Sequence, residues 1–305
     1  MVVLGALAGY LLFGAAGALG AGAVLVNLFT PLPAAMLGLR LGTPWGAATA
    51  GLTALAVLAT SGGAATLLFL LQFGLPALLL PWLLRRETPW DQVVVATLGV
   101  ILALGLLMLL WHAADSGQSA LHLADALVDK EISQAVTLRD EMAADSQQAP
   151  AEAEALRQAV ASMGEFMRRV YPGMLVAVAG VMQLVTVGML AMVNRPRGVP
   201  GPAFARWRAP ELLIWVLIAA GFAVVFSGGA IQTVAMNLLV ILLPIYFLQG
   251  LAVVEYFLGR KGLSPLMRGL GYLVLLVVNP LPVIVTGVGI FDLWADFRKP
   301  RPKKA

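Results

Sequence analysis

Cysteine is absent from this 305-residue chain, and charged residues make up only 12% of it. Without thiols the chain forms no disulfide and offers no thiolate as nucleophile or metal ligand. A soluble domain carries about 25% charged residues, whereas here 60% of the residues are hydrophobic and the mean hydropathy is +0.89. The composition excludes an ordinary soluble domain and predicts an integral membrane protein.

Residues that carry catalytic or metal chemistry are equally scarce. The two histidines, His112 and His122, have no third ligand at a suitable spacing, so we expect no metal site. The sequence contains no HExxH motif, no paired carboxylates within an apolar run and no Ser/His/Asp set. We therefore expect no enzyme activity and no cofactor.

Long apolar runs recur from end to end and predict an all-α, polytopic transmembrane helix bundle. We expect about eight spanning helices, with turns at the two SGGA sequences that begin at Ser61 and Ser227. The last span is broken at Asn279–Pro282, where the chain either turns back or crosses once. The predicted spans are about Val3–Phe29, Gly46–Thr60, Ala65–Leu84, Val93–Trp111, Gly173–Val193, Glu211–Phe226, Ile231–Lys261 and Leu263–Trp294.

An acidic segment interrupts this membrane body. Residues 112–171 hold ten of the sixteen acidic residues but only five of the twenty basic ones. Apolar residues recur there at three- and four-residue steps on both sides of a turn at Gln147–Pro150, which predicts an extramembrane amphipathic αα-hairpin. The expected domains are therefore residues 1–111 (helices 1–4), 112–171 (the hairpin) and 172–305 (helices 5–8 and a basic tail).

Basic residues in the short loops predict the orientation, because such residues favour the cytoplasmic side. With the N-terminus outside, the arginines at 40, 85 and 86 and the loop Arg195–Arg208 fall in the cytoplasm. The hairpin is then extracytoplasmic and the tail is cytoplasmic. The tail is expected to contact the lipid bilayer, and we expect no nucleic-acid partner.

The run Ile231–Lys261 carries the densest set of polar side chains at membrane depth. Asn237, Tyr246, Gln249 and Tyr256 fall near one helix face, with Pro244 among them. This face is our candidate ligand-binding site, because polar groups inside a bilayer face protein or a cavity. The alternative is hydrogen bonding between helices.

Other polar residues are expected to have structural roles. Glu255 lies close to the basic end of the same run, where we expect it to pair with an arginine or lysine. Asp292, Asp296 and Arg298 are expected to fasten the last helix to basic loops. Interhelical hydrogen bonds are expected for the remaining lone polar residues, Asn27, Gln72, Gln183 and Gln232.

The C-terminal half resembles the YybS-like family of uncharacterised bacterial multi-pass membrane proteins. The resemblance is carried by Asn237, by Pro244-Ile-Tyr246 with Gln249-Gly250, and by Gly289-Ile-Phe-Asp292 with Asp296-Phe297-Arg298. Thr30-Pro-Leu-Pro33 and Arg40-Leu-Gly42 fit the same pattern. The resemblance implies a bacterial inner-membrane protein, and a more distant similarity to substrate-binding components of energy-coupling-factor transporters implies a small-solute pocket.

Two functions remain open from the sequence. The first is a solute-binding or transport component that takes a small molecule. The second is a membrane scaffold that docks a partner protein or a second copy through residues 116–170.

Overall fold

The chain is all-helical in the computed structural model, as predicted. The structure describes residues 1–18, 26–119, 122, 126, 150–194 and 198–299, and no strand occurs in those ranges. The chain divides into two compact units, residues 1–120 with 178–201 and residues 121–177 with 202–305.

The first helix of the first unit, Val2–Ala18, contacts neighbouring residues through its glycines. A Cβ on Gly5 would lie 3.0 Å from Thr49 Cγ2, and one on Gly9 would lie 3.2 Å from Thr53 Oγ1. The first helix therefore packs closely against the helix that carries Thr49 and Thr53, because missing side chains let helices approach each other. The helices of this unit are α1 (Val2–Ala18), α2 (Leu32–Leu41), α3 (Thr43–Phe69), a π-helical turn (Leu70–Gly74), α4 (Leu75–Arg85), α5 (Trp90–Ser116) and the end of α6 (Pro150–Val193).

The first SGGA sequence forms the predicted turn. Gly62 has φ 82° and ψ 178°, a conformation that breaks α3 and suits glycine. A Cβ on Gly38 of α2 would lie 3.1 Å from Pro81 Cγ and 3.6 Å from Gly46 Cα. Gly46 and Pro81 thus both lie beside Gly38, whereas an unbroken helix would separate them by about 52 Å. The chain therefore reverses at Gly62.

The second unit contains the second SGGA turn and the broken last segment. Gln232 Nε2 donates to Val224 O at 3.0 Å across that turn, which is the interhelical hydrogen bond expected for Gln232. Further on, the axes of the last two helices are bent by 103° relative to each other at the break that follows Val277. The helices of this unit are the start of α6, a 3₁₀ turn (Phe204–Arg206), α7 (Leu212–Phe226), α8 (Gly229–Arg260), α9 (Pro265–Val277) and α10 (Leu281–Ala295).

Helix α6 differs from its predicted form. We expected a hairpin helix and a separate span beginning near Gly173, but Pro150–Val193 is one 44-residue helix with Pro172 inside it. At 1.5 Å per residue it is about 66 Å long, roughly twice a bilayer's hydrocarbon core. Most of the first predicted hairpin helix and residues 147–149 of the turn lie outside the described residues, and so does the basic tail beyond Lys299.

Within the described residues, fewer helices than expected have the length of a full span. Four stretches there are long and apolar enough to cross a bilayer, or five if the bent pair α9–α10 counts as one span. One of the four, Thr43–Arg85, contains both arms of the reversal at Gly62. The predicted sixth span corresponds to the shorter apolar helix α7, and the described start of the predicted first span corresponds to α1. The four long stretches are Thr43–Arg85, Trp90–Ser116, Ser162–Val193 and Gly229–Arg260.

Helices α8 and α10 cross at a pair of glycines. A Cβ on Gly250 would clash with the Val285 carbonyl oxygen, and one on Gly289 would lie 2.7 Å from Gly250 N. The two backbones are therefore in contact, as at other small-residue crossings in membranes. This crossing brings Gln249, which precedes Gly250, close to Asp292, which is one helical turn after Gly289.

We predict that Gly250→Ala lowers stability in detergent by about 1–3 kcal/mol, because the added methyl group meets backbone that cannot rotate away. The matched control is Gly259→Ala in the same helix, where a Cβ has nothing within 4 Å. That substitution should be neutral or stabilising, because alanine favours helix. Chemical unfolding of both variants measures the difference, and equal stability of the two would contradict this crossing.

Candidate functional site

The best-defined polar cluster lies next to the glycine crossing and begins with Gln249. This side chain is only 2% exposed. Its Oε1 accepts a hydrogen bond from the Ala209 backbone N–H at 3.0 Å, and its Nε2 donates to Asp292 Oδ2 at 3.3 Å. The amide thus links a loop backbone to α10.

Asp292 is fully buried and is the negative centre of the cluster. Its Oδ2 accepts a hydrogen bond from Arg298 Nη2 and also lies 3.9 Å from Arg208 Nε. A buried carboxylate is stable only when cations and donors replace its lost hydration. Its other oxygen, Oδ1, has no hydrogen-bond partner among the described residues.

Arg298 joins this carboxylate to an irregular stretch of backbone. Its Nη1 donates to Trp207 O at 2.7 Å and to Ala205 O at 3.2 Å. Backbone outside regular structure needs such partners when it is buried. Arg298 is itself buried, and within the described residues its Nε has no acceptor.

The rim of the cluster is formed by Asp296, where α10 ends. Asp296 has φ 42° and ψ 59°, a left-handed conformation that turns the chain so that Arg298 folds back towards Asp292. Its carboxylate pairs with Arg208 Nη2 and lies 3.0 Å from Lys299 Nζ. Hydrogen bonds from Lys299 and Arg208 hold the pKa of Asp296 below its usual range.

Asn237 of the predicted ligand-binding face is engaged by helix α6. Its Oδ1 accepts from Gly173 N–H at 2.6 Å, and its Nδ2 donates to Arg169 O at 2.6 Å and to Thr233 O at 2.8 Å. Gly173 follows Pro172, whose ring disturbs the α-helical hydrogen bonds around it. The amide therefore bridges two backbone groups one turn apart next to a proline.

The two tyrosines of that face lie in different surroundings. Tyr246 is buried in an apolar cluster with Leu242 and Ile214. Tyr256 accepts a long hydrogen bond of 3.5 Å from Arg260 Nη1, whose guanidinium carbon lies 5.8 Å from the tyrosine ring centroid.

The four residues predicted to bind a ligand are not gathered at one point. Asn237 and Tyr256 are 19 positions apart on one helix, a rise of about 28 Å. A small solute cannot contact both. Ligand binding by this face stays a prediction, with Gln249 as the member that lies in a polar cluster.

Glu255 forms a separate ion pair. Its Oε1 lies 2.8 Å from Arg268 Nη1, and its Oε2 accepts a hydrogen bond from the Tyr272 hydroxyl. Arg268 and Tyr272 are one turn apart on α9. The pair thus joins the end of α8 to α9.

Several contributors were not identified from the sequence. Arg208 is one of four arginines in its loop, and nothing in the spacing distinguishes it from the other three. The Ala209 N–H and the Trp207 carbonyl belong to main chain, which carries no side-chain signal. Single glycines within apolar helices, such as Gly250 and Gly289, were a usable signal, because close helix contacts in membranes favour small residues.

The fold and this cluster define a class: an all-helical membrane protein with a buried polar cluster at the end of helix α10. The chain belongs to the family described as "Predicted membrane protein (DUF2232)", which it matches over residues 8–293. This confirms the expected uncharacterised multi-pass membrane family. No curated protein and no solved structure matches the chain.

We predict that Asp292→Asn destabilises the protein by about 3–5 kcal/mol, because it leaves Arg298 buried without a counter-charge. The matched control is Asp296→Asn, which removes a carboxylate that also faces Arg208 but lies at the rim. Its effect should be much smaller, because partly exposed ion pairs contribute little. Unfolding in detergent measures both variants, and equal effects would contradict the cluster's buried character.

Proposed function

We propose that the protein binds a small polar solute within the membrane, as a solute-binding or transport component. One observation carries the proposal: in the cluster at α10, Asp292 Oδ1 and Arg298 Nε are buried and lack partners among the described residues. Leaving such atoms unpaired is costly, especially for charged groups. A solute with one donor group and one acceptor group would pair with both.

The broken last segment supports the same proposal. Solute sites in membrane transporters are commonly formed by discontinuous helices that face a cavity. Here α9 and α10 are bent by 103° at their break, and α10 leads from this break to Asp292, about 17 Å further along the helix. The bent pair fits the turned-back form of the last segment.

Placement in a bacterial inner membrane is part of the proposal. The basic residues next to helix ends support a cytoplasmic position for the cluster, because Arg208, Arg260 and Lys299 would share that side. The acidic residues of 112–171 would then lie outside the cell. In this placement a solute meets the cluster from the cytoplasmic half of the bilayer.

The scaffold hypothesis has one observation in its favour. Helix α6 has 44 residues, whereas a span needs about 20. Its first residues would therefore extend beyond the bilayer, where a partner protein or a second copy could dock.

The test is mass spectrometry of small molecules and proteins that remain with the protein after purification in lipid nanodiscs. We predict a small molecule near one per chain, reduced at least about tenfold in folded Asp292→Asn, since a buried charge-assisted contact contributes about 1.5–3 kcal/mol. Glu255→Gln is the control, because it removes a carboxylate that pairs with an arginine elsewhere in the same unit. It should retain the molecule.

The outcomes separate the two functions. A retained compound that depends on Asp292 supports solute binding. A stoichiometric protein without a small molecule supports the scaffold instead. Retention that Asp292→Asn leaves unchanged would overturn the assignment of the cluster.

A further inference from the structure

A second group of unpartnered polar atoms lies in the first unit, apart from the Asp292 cluster. Gln183 is only 2% exposed, yet neither its Nε2 nor its Oε1 has a hydrogen-bond partner among the described residues. The interhelical hydrogen bond expected for this residue is therefore missing. Three more buried atoms in the unit share this state: Asn27 Oδ1, Thr30 Oγ1 and Thr97 Oγ1.

The contrast with Gln249 shows how unusual this is. The two glutamines are equally buried. Gln249 has a partner for each end of its amide, whereas Gln183 has a partner for neither. Buried side-chain amides are nearly always paired, and an exception calls for a specific cause.

Elements of the first unit converge beside Gln183. Its neighbour Met182 belongs to the apolar cluster of Phe69 and Phe73, and Leu28, next to Asn27, packs against the same cluster. The Met182 sulfur lies 4.0 Å from Gln72 Nε2. Gln72 is exposed and lies in the π-helical turn Leu70–Gly74, and such turns are frequent at functional sites.

Helix α5 contributes Thr97 at the same level. A Cβ on Gly180 would lie 3.8 Å from Leu98 Cδ2, and the Trp90 N–H at the start of α5 donates to Pro200 O beyond the end of α6. The two helices are thus antiparallel. Thr97 lies one residue from Leu98, and Gln183 lies three residues from Gly180 in the same direction along the helix axes. At 1.5 Å per residue, the heights of Thr97 and Gln183 along the axes differ by about 3 Å.

No charged residue lies in the inner parts of the helices that form this region. Residues 43–84, 92–111 and 173–193 contain no Asp, Glu, Lys, Arg or His. An ion would lose its hydration here without a counter-charge, which is prohibitive. An uncharged group with both a donor and an acceptor would match the amide of Gln183 and the hydroxyl of Thr97.

We propose that the first unit holds a binding site for a small uncharged hydrogen-bonding solute, with Gln183 and Thr97 inside and exposed Gln72 at its entrance. The amide of Gln183 offers one acceptor and two donors, and the Thr97 hydroxyl offers both. An exposed glutamine at mid-span is costly against lipid, so Gln72 faces the water-filled approach. This proposal does not depend on the Asp292 cluster.

The absence of cysteine makes the test direct, because each cysteine variant of the full chain carries a single thiol. Gln183→Cys is compared with Leu190→Cys, which lies two turns further along α6 at a fully buried apolar position. The probes are methyl methanethiosulfonate, which is uncharged, and its trimethylammonium-ethyl and sulfonatoethyl counterparts. Only a hydrated thiol ionises and reacts.

We expect the uncharged probe to modify Gln183→Cys at least about tenfold faster than Leu190→Cys, and both charged probes to react no faster than the control. Equal rates for the two variants with the uncharged probe would overturn the site. Fast reaction with a charged probe would overturn the solute class.

A second measurement covers the case in which the cysteine variant does not fold. In protein freed of bound small molecules, Gln183→Leu should not lower the unfolding midpoint, because the Gln183 amide has no partner among the described residues, whereas Gln249→Leu should lower it, because it removes a paired amide. A lower midpoint in Gln183→Leu would show that the amide is bonded within the protein and would overturn the proposal.

Discussion

The second unit depends on one interaction, the buried pair of Asp292 with Arg298. A carboxylate that is 0% exposed near a bilayer survives only with cations and donors around it. Arg298 and Gln249 supply them, and the same two side chains also bond backbone groups of Ala205, Trp207 and Ala209. The ion pair therefore does two things, since it neutralises a charge and anchors an irregular stretch of chain.

The pair in turn depends on backbone geometry. The contact of Gly250 with Gly289 brings α8 close enough for Gln249 to reach Asp292. The left-handed turn at Asp296 then returns Arg298 to the same carboxylate. The helix crossing, the turn at Asp296 and the charge pair thus support one another. Disrupting any one of them would leave a buried charge without its partner.

Local signals predicted the breaks in the fold well. The SGGA turns and the break after Val277 follow from glycine and proline, which act within a few residues. Helix α6 runs unbroken past Pro172, although helices usually end before a proline. Here Asn237, 64 positions away, bonds the backbone beside Pro172, and no local pattern can report that contact.

The site was less predictable than the fold. Helical spacing predicted that Asn237, Tyr246, Gln249 and Tyr256 lie near one helix face. The spacing does not predict which residue of another element contacts each of these side chains. Asp292 and Arg298 were identified as structural by their position near a basic end, whereas Arg208 was indistinguishable from its neighbours. Gln183 resembles Gln249 in sequence context, and only the three-dimensional contacts separate a paired amide from an unpaired one.

The most direct measurement of the central interaction is a double-mutant cycle with Asp292→Asn, Arg298→Gln and the double variant, using unfolding free energies in detergent. We predict a coupling free energy of about 2 kcal/mol or more, because each single substitution leaves the other charge buried and unpaired. Additive effects, within about 0.5 kcal/mol, would show that the two side chains do not support each other and would contradict the account.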